Sequence, residues 1–160
     1  AIQVLRHVYH VKKIIAVDRI DERLALAREN GADVIINNKD TPLTESLNDE
    51  PTLIIDAACH PSILNEAIQI ASPAARIGLL GFSDTPGALV QKEITSKELT
   101  IFTSRLNSNK FPEVIDWISQ GKVFPEKLIT HRFTLDNVLS AMELFEHDAR
   151  TCCKVILDIQ

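Results

Sequence analysis

The carboxylate of Asp18 is the residue whose type and position most favour nucleotide chemistry. It follows a short β-branched run, residues 14–17, that is typical of a buried parallel strand. In open α/β sheets, ligands bind beyond the carboxyl ends of the strands, where a carboxylate can accept hydrogen bonds from both hydroxyls of an adenosine ribose. The same charge repels a 2′-phosphate, so Asp18 favours NAD over NADP. The alternative interpretation is an acid that caps the next helix.

Two arginines, Arg19 and Arg23, lie beside this carboxylate in the sequence. They either brace the adenosine ribose or pair with Asp21 and Glu22 on a solvated helix face. Both interpretations stay open at the level of sequence.

Small residues end two further predicted strands, at 53–58 and 75–81. A small side chain at a strand end lets a flat cofactor ring approach the backbone, but it equally suits tight helix–strand packing or a simple turn. The candidate residues at these two strand ends are Ala57, Ala58, Leu80, Gly81 and Phe82.

The other reactive residue types favour structural roles, and no catalytic residue is predicted. Cys59 and His60 are adjacent, and adjacent side chains on an extended chain point apart, which disfavours a nucleophile–base pair. Cys152 and Cys153 are predicted to be small apolar filler, because a vicinal disulfide is strained. His131 is predicted to be a structural histidine. The sequence has no C-x-x-C or H-x-x-x-H pair, so it predicts no metal site.

Length and composition exclude several classes of protein. The 160 residues correspond to about one domain, and 45% apolar with 24% charged residues is ordinary globular usage. A net charge of −5 without a basic run argues against nucleic-acid binding. No apolar stretch approaches the ~20 residues of a membrane span. An odd cysteine count of 3 favours a reducing, cytoplasmic location.

The alternation of strand and helix patterns predicts an α/β fold with a Rossmann-like, doubly wound, mostly parallel sheet. The predicted strands cover 14–17, 33–36, 53–58, 75–81, 98–104 and 154–159, with a short extended stretch at 128–133. The predicted helices cover 1–10, 21–30, 43–47, 61–70, 112–120 and 135–146. Asp21 is predicted to cap the second of these helices and Gly31 to end it. On the last helix, the residues predicted to point inward are Val138, Leu139, Met142 and Phe145. Residues 83–97 are predicted to be a loop, and 98–104 an edge strand.

The beginning of the chain predicts a fragment. The helical pattern at residues 1–10 has no capping residue before it. A G-x-G-x-x-G phosphate loop should precede Asp18 by about 20 residues, which falls upstream of Ala1. We therefore expect a Rossmann-like fold that lacks its first strand and glycine-rich loop. Because that strand is central, unpaired strand edges are expected, and with them a homo-oligomer.

A further division is predicted near Lys110, where the regular βαβ rhythm ends. Residues 1–110 are predicted to be a nucleotide-binding domain and residues 111–160 a separate C-terminal segment.

Several stretches in order along the chain resemble zinc-type medium-chain alcohol and polyol dehydrogenases. They are AVD at 16–18 with ENGAD at 29–33, IIDA at 54–57 with RIGLLG at 76–81, and LITHRF at 128–133 with KV at 154–155. The stretches DAACHP at 56–61 and SRLNSNKF at 104–111 are most similar to sugar-acid members of the L-galactonate 5-dehydrogenase type.

The resemblance implies an NAD-dependent oxidoreductase acting on a secondary alcohol of a polyol or sugar acid. It implies that Asp18 binds the adenosine ribose with Arg19 and Arg23 beside it. It also implies that Lys154 contacts the cofactor pyrophosphate and that Arg105 lies near the site. The backbone around 57–58 and 80–82 would line the nicotinamide, and strand 99–104 would pair subunits. Zinc would belong to the intact enzyme only, and residues 111–160 would return to its catalytic domain.

The sequence also departs from the family pattern. Ala74 and Ala75 stand where the family usually has a glycine, and Cys59 replaces another. Because no zinc ligand set is present, the chain alone is expected to be inactive. A non-catalytic nucleotide-sensing module and an interaction domain that binds no nucleotide stay open as alternatives.

Overall fold

A computed structural model describes residues 1–58 and 60–159. The helices in this part of the chain are α1 (Ile2–His7), α2 (Asp21–Glu29), α3 (Leu43–Ser46), α4 (Pro61–Ile70), α5 (Gln91–Ser96), α6 (Phe111–Ser119) and α7 (Val138–His147). The strands are β1 (Ile15–Asp18), β2 (Val34–Asn37), β3 (Leu53–Asp56), β4 (Arg76–Leu79), β5 (Thr100–Thr103), β6 (Ile129–Thr134) and β7 (Lys154–Asp158). Short 3₁₀ turns occupy Pro125–Leu128 and Leu135–Asn137.

Every described strand pairing is parallel, which confirms the predicted α/β class. β1 pairs with β2, β6 pairs with β7, and β3, β4 and β5 form a sheet in that order. β5 therefore lies at a sheet edge, as the alternation over 98–104 predicts. Parallel strands end on the same side, so Asp56, Leu79 and Thr103 lie along one edge of the β3–β4–β5 sheet.

The chain divides into two compact units. The continuous unit is Thr41–Ser108, and the split unit combines Ala1–Asp40 with Asn109–Gln160. This division groups the residues that pack together in the structure. The functional division into 1–110 and 111–160 stays a prediction.

The continuous unit has an apolar core between α4 and its sheet. Its buried members are Ala67, Ile68, Ala71, Ala75 and Ile77. Three of these are alanines, which let the helix backbone approach the sheet closely. At the end of α4, the Nζ atom of Lys97 donates to the carbonyl oxygens of Ile68 (3.0 Å), Gln69 (2.7 Å) and Ala71 (2.9 Å). A lysine at a helix C-terminus satisfies carbonyls that have no partner within the helix.

The split unit is held by polar contacts between its two stretches. Gln3 is buried, its Oε1 accepts from the Phe124 N–H at 2.7 Å, and its Nε2 donates to the Phe124 carbonyl at 3.0 Å. The same Nε2 also contacts the side-chain oxygen of Asn30. Gly31 ends α2 with φ at +108°, as predicted for a helix stop at this glycine.

Two predictions of local structure are wrong. Ile20 is the N-cap of α2 and Asp21 is its first residue, so Asp21 is not the cap. The predicted loop at 83–97 contains α5, because the run QKEITS has no glycine or proline to interrupt a helix.

The buried face of α7 also differs from the prediction. Leu139, Met142 and Phe145, predicted to point inward, are 78%, 54% and 61% exposed, and Ala141 is the buried residue instead. Periodicity identifies an apolar stripe but not whether a partner covers it.

Candidate cofactor site

Asp18 has one oxygen engaged and one open. Its Oδ1 accepts hydrogen bonds from the backbone N–H groups of Arg19 (2.7 Å) and Ile20 (3.0 Å). These bonds shape the turn from β1 into α2. In the described hydrogen-bond network, Oδ2 accepts none. Asp18 therefore does not cap α2, because both bonds go to residues that precede the helix. One oxygen holds the turn, and the other can accept from a ligand.

The end of the neighbouring strand β2 contacts the start of α2, close to Asp18 in sequence. Asn37 lies opposite Asp18 in the β1–β2 register, and its Nδ2 donates to Oδ1 of Asp21 at 2.6 Å. This bond joins the end of β2 to the first turn of α2. Asp21 is thus held by an amide and not by either arginine.

The arginines near Asp18 differ in their contacts. Arg19 is exposed, whereas the Nε atom of Arg23 donates to the carbonyl of Ala149 at 2.9 Å. Glu22 pairs with Arg150, whose Nε and NH2 atoms lie 3.0 Å and 2.5 Å from Oε1. The hydrogen bond from Arg150 lowers the pKa of the Glu22 carboxyl. Two contacts thus connect α2 to the loop before β7.

Lys154 belongs to the same unit. It is the first residue of β7, is exposed, and lies in register with Ile129 on β6. Its backbone N–H lies 3.3 Å from the hydroxyl of Thr130, so the backbone is fixed while the side chain extends into solvent. The split unit therefore holds four of the candidate residues, namely Asp18, Arg19, Arg23 and Lys154.

In the continuous unit, Asp56 joins the ends of two strands. It is buried, and its carbonyl accepts from the N–H groups of Leu80 (2.8 Å) and Gly81 (3.2 Å). Its Oδ1 accepts from the N–H of Ala58 at 2.9 Å. These bonds bring the segment 57–58 beside the segment 80–81, so the small residues after β3 and β4 are neighbours, as the strand-end argument requires.

A cavity of about 210 Å³ opens at this edge of the continuous unit. Residues lining it include Asp56, Leu64, Leu79, Gly81, Ser83 and Thr85. The loop after β4 also passes close to α4, since a Cβ atom at Gly87 would lie 2.8 Å from the Pro61 carbonyl. Glycine at this position allows that approach.

The last two candidate residues contact each other. The guanidinium carbon of Arg105 lies 4.8 Å from the centroid of the Phe82 ring. This is a cation–π distance, and both side chains are exposed.

The cysteines and histidines singled out in the sequence are the remaining reactive residues. Cys59 lies outside the described residues. The Nδ1 atom of His60 lies 2.8 Å from the Ser62 hydroxyl at the start of α4, and that of His131 lies 3.1 Å from the Thr130 hydroxyl. Cys152 and Cys153 are free thiols. Over the described ranges, no group of three or more His, Cys, Asp or Glu side chains could hold a metal ion, so a zinc site does not fit these residues.

Sequence reasoning missed the roles of Asp56 and Asn37 and the contact between Phe82 and Arg105. Asp56 and Asn37 could have been found as polar residues that end a strand, which is the signal that identified Asp18. The aromatic contact could not, because it depends on the pairing of β4 with β5.

Parallel strands with ligand-compatible residues at their carboxyl ends define a Rossmann-like α/β domain. Residues 1–120 match the family of zinc-binding dehydrogenases, and the chain belongs to that family. No described helix is both long and apolar enough to cross a membrane.

The chain is also similar to individual proteins and solved structures. The chain is 60% identical to the starvation-sensing protein RspB of Escherichia coli K12 over 98% of its own length and 47% of that protein. It is 61% identical, with a TM-score of 0.94, to the crystal structure of a short chain alcohol dehydrogenase (rspB) of E. coli CFT073 complexed with the cofactor NADH, covering 98% of this chain and 47% of that one. It is 26% identical, with a TM-score of 0.89, to alcohol dehydrogenase TADH of Thermus sp. ATN1, covering 100% of this chain and 47% of that one. The chain thus spans about half the length of the curated relatives it matches.

Proposed function

We propose that this chain binds NAD(H) as the cofactor-binding part of an oxidoreductase that acts on a secondary alcohol of a polyol or sugar acid. The observation that carries the proposal is the position of Asp18, which ends β1 with one carboxylate oxygen open. The NADH complex of a relative that is 61% identical supports the same cofactor.

The candidate residues of each unit have a proposed role of their own. Asp18 accepts from the adenosine ribose hydroxyls and excludes a 2′-phosphate, with Arg19 and Arg23 beside it. Lys154 supplies a positive charge to the pyrophosphate. On the nicotinamide side, the small residues after β3 and β4 leave room for the flat ring. These residues are Ala57, Ala58 and Gly81, with Leu80 and Phe82 as exposed apolar neighbours.

NAD, when bound, supplies the hydride acceptor. This chain contributes binding and orientation of the cofactor. The described residues offer no zinc site, so the proposal places no metal-dependent step on them.

The central test is a fluorescence titration of NADH and NADPH into the natural polypeptide that contains this chain. Asp18→Asn keeps an oxygen for the turn but removes the charge. It should weaken NADH binding about 10- to 100-fold, in line with about 1.5–3 kcal/mol for a hydrogen bond to a charged group. It should also reduce the ratio of NADH affinity to NADPH affinity. Asp136→Asn, the same change at an exposed acid elsewhere in the split unit, is the matched control. Unchanged NADH affinity in Asp18→Asn would contradict the proposal.

A second candidate function is that of a non-catalytic nucleotide sensor. A turnover assay distinguishes it from the enzyme. The observation that favours sensing is the name of the 60% identical relative, a starvation-sensing protein. Both functions predict NADH binding. NADH production from sugar acids by the natural polypeptide supports the enzyme, and nucleotide binding without turnover supports the sensor. The purified 160-residue chain alone is expected to bind NADH and to produce none.

We also propose a cytoplasmic homo-oligomer. β5 has an open edge, and Phe102 on it is 37% exposed, so a second copy can pair there. The free thiols Cys152 and Cys153 suit a reducing compartment. A strictly monomeric mass in light scattering across concentrations would contradict the oligomer.

A further inference from the structure

The side chain of Thr130, on β6, forms hydrogen bonds with the backbone at the start of β7. Its Oγ1 atom accepts from the N–H groups of Cys153 (3.0 Å) and Lys154 (3.3 Å). The same hydroxyl donates to the carbonyl oxygen of Lys154 at 3.2 Å. A hydroxyl can donate one hydrogen bond and accept two, so a single side chain can hold two adjacent residues of the partner strand.

Thr130 is also the extra residue of a β-bulge. In the β6–β7 pairing, Ile129 lies opposite Lys154. The next pair is His131 with Val155, so β6 has one residue more than β7 at this point. A bulge interrupts the regular ladder, bends the strand and changes the direction of nearby side chains. The Thr130 hydroxyl binds backbone N–H groups at the place where the ladder is interrupted.

The loop that leads to Lys154 has a second anchor. Two contacts attach the loop 148–153 to α2, and α2 begins three residues after Asp18. The other end of the loop is bound to the Thr130 hydroxyl through the Cys153 N–H. Lys154 therefore follows a loop with two anchors, one on the helix next to the proposed ribose site and one on β6.

The ammonium group of Lys154 is available to a ligand. Lys154 is exposed, and none of the ion pairs between described residues involves it. A lysine side chain is flexible, and it loses rotamer freedom when it binds a ligand. A fixed backbone limits the region that the ammonium group reaches, and such preorganisation lowers the cost of binding.

From these observations we propose that Thr130 is a positioning residue for cofactor binding, which fixes the backbone of Lys154 so that its ammonium group reaches the pyrophosphate. This inference rests on the proposed function, in which Lys154 supplies a positive charge to that group. Thr130 acts through the lysine and does not touch the cofactor. The hydroxyl group of Thr130 carries the effect.

The test is a double-mutant cycle, measured by fluorescence titration of NADH into the natural polypeptide. Thr130→Val keeps the branched shape but removes the hydroxyl, and should weaken NADH binding about 3- to 10-fold. Lys154→Met removes the charge and should weaken binding about 10- to 100-fold, as expected for a hydrogen bond to a charged group. In the Lys154→Met background, Thr130→Val should cause no further loss, because the residue that it positions is gone.

Two further variants separate positioning from a general loss of stability. Thr130→Ser keeps the hydroxyl and should bind NADH as the wild type does. Thr134→Val makes the same change at the other end of β6, where the hydroxyl accepts from Asn137 at 3.0 Å, and should leave NADH affinity unchanged. Added salt should weaken NADH binding more in the wild type than in Thr130→Val, because salt screens the contact between Lys154 and the pyrophosphate.

Different outcomes separate this inference from the proposed function. If the wild type does not bind NADH, the proposed function is wrong. If Lys154→Met binds NADH as tightly as the wild type, the assignment of Lys154 is wrong and the inference fails with it. If Lys154→Met weakens binding but Thr130→Val has no effect, or has the same effect in both backgrounds, only the positioning role of Thr130 is wrong. Weak binding by Thr130→Ser would also overturn that role.

Discussion

The continuous unit folds from one stretch of chain, whereas the split unit has to join two stretches that are distant in sequence. The continuous unit is stabilised by an apolar core in which Ile68 and Ile77 are fully buried. The split unit also buries apolar side chains, such as Ile14 and Leu24, and adds directional contacts between its two stretches. Examples are the hydrogen bonds between Gln3 and the backbone of Phe124, which are 121 residues apart. Nearby apolar residues can form a core with little loop-closure cost, whereas distant segments need directional contacts to fix their alignment.

This difference predicts where a single truncation is most costly. Ile68→Ala leaves a cavity in the core beside Ala67 and Ile77, and should lower the free energy of unfolding by about 2–5 kcal/mol. Urea unfolding measures it. Ile159→Ala is the matched control, because Ile159 is 79% exposed and should cost less than about 0.5 kcal/mol. Equal losses for the two variants would contradict the description of the core.

The same contrast explains which features the sequence could predict. Apolar runs such as residues 14–17 and 53–56 identify strands through the local preference of β-branched residues for extended backbone. Their burial was less predictable, since Leu53 and Ile55 are 43% and 36% exposed. The helix stop at Gly31 follows from local conformation in the same way. Local rules failed where the outcome depends on a distant partner, as for the exposed apolar face of α7.

The candidate site shows the same limit. The strand-end argument identified Asp18 and the small residues after β3 and β4, because a parallel sheet places all strand ends on one side. It could not identify that Arg23 contacts Ala149 or that Arg150 pairs with Glu22, since these contacts join segments separated by more than a hundred residues. Residue type predicts what a side chain can do, and the fold selects its partner.

Replacement of a buried polar residue tests the contacts within the split unit more directly. Gln3→Leu keeps the side-chain volume but removes both hydrogen bonds to the Phe124 backbone, which leaves a donor and an acceptor unsatisfied. The free energy of unfolding should fall by about 1–3 kcal/mol. Gln69→Leu, the same change at an exposed position of α4, should have little effect. If thermal unfolding shows the two variants to be equally stable, the split unit does not depend on this contact.

The smallest expected effect is a pH dependence near the candidate site. The hydrogen bond from Arg150 lowers the pKa of Glu22, so the folded state prefers the ionised carboxylate. The pair therefore stabilises the fold fully above the ordinary glutamate pKa of about 4.3, and this stabilisation is lost as the pH falls through the lower pKa of the folded state. Arg150→Gln should lower the melting temperature at pH 7 and make no difference once Glu22 is protonated in both states. The control is Arg28→Gln, since Arg28 lies at the other end of α2 and its effect should not change with acid. The outcome that contradicts this prediction is a melting-temperature difference between wild type and Arg150→Gln that stays constant from neutral to strongly acidic pH. Arg150 would then stabilise the loop before β7 through packing, and the charge on Glu22 would contribute nothing.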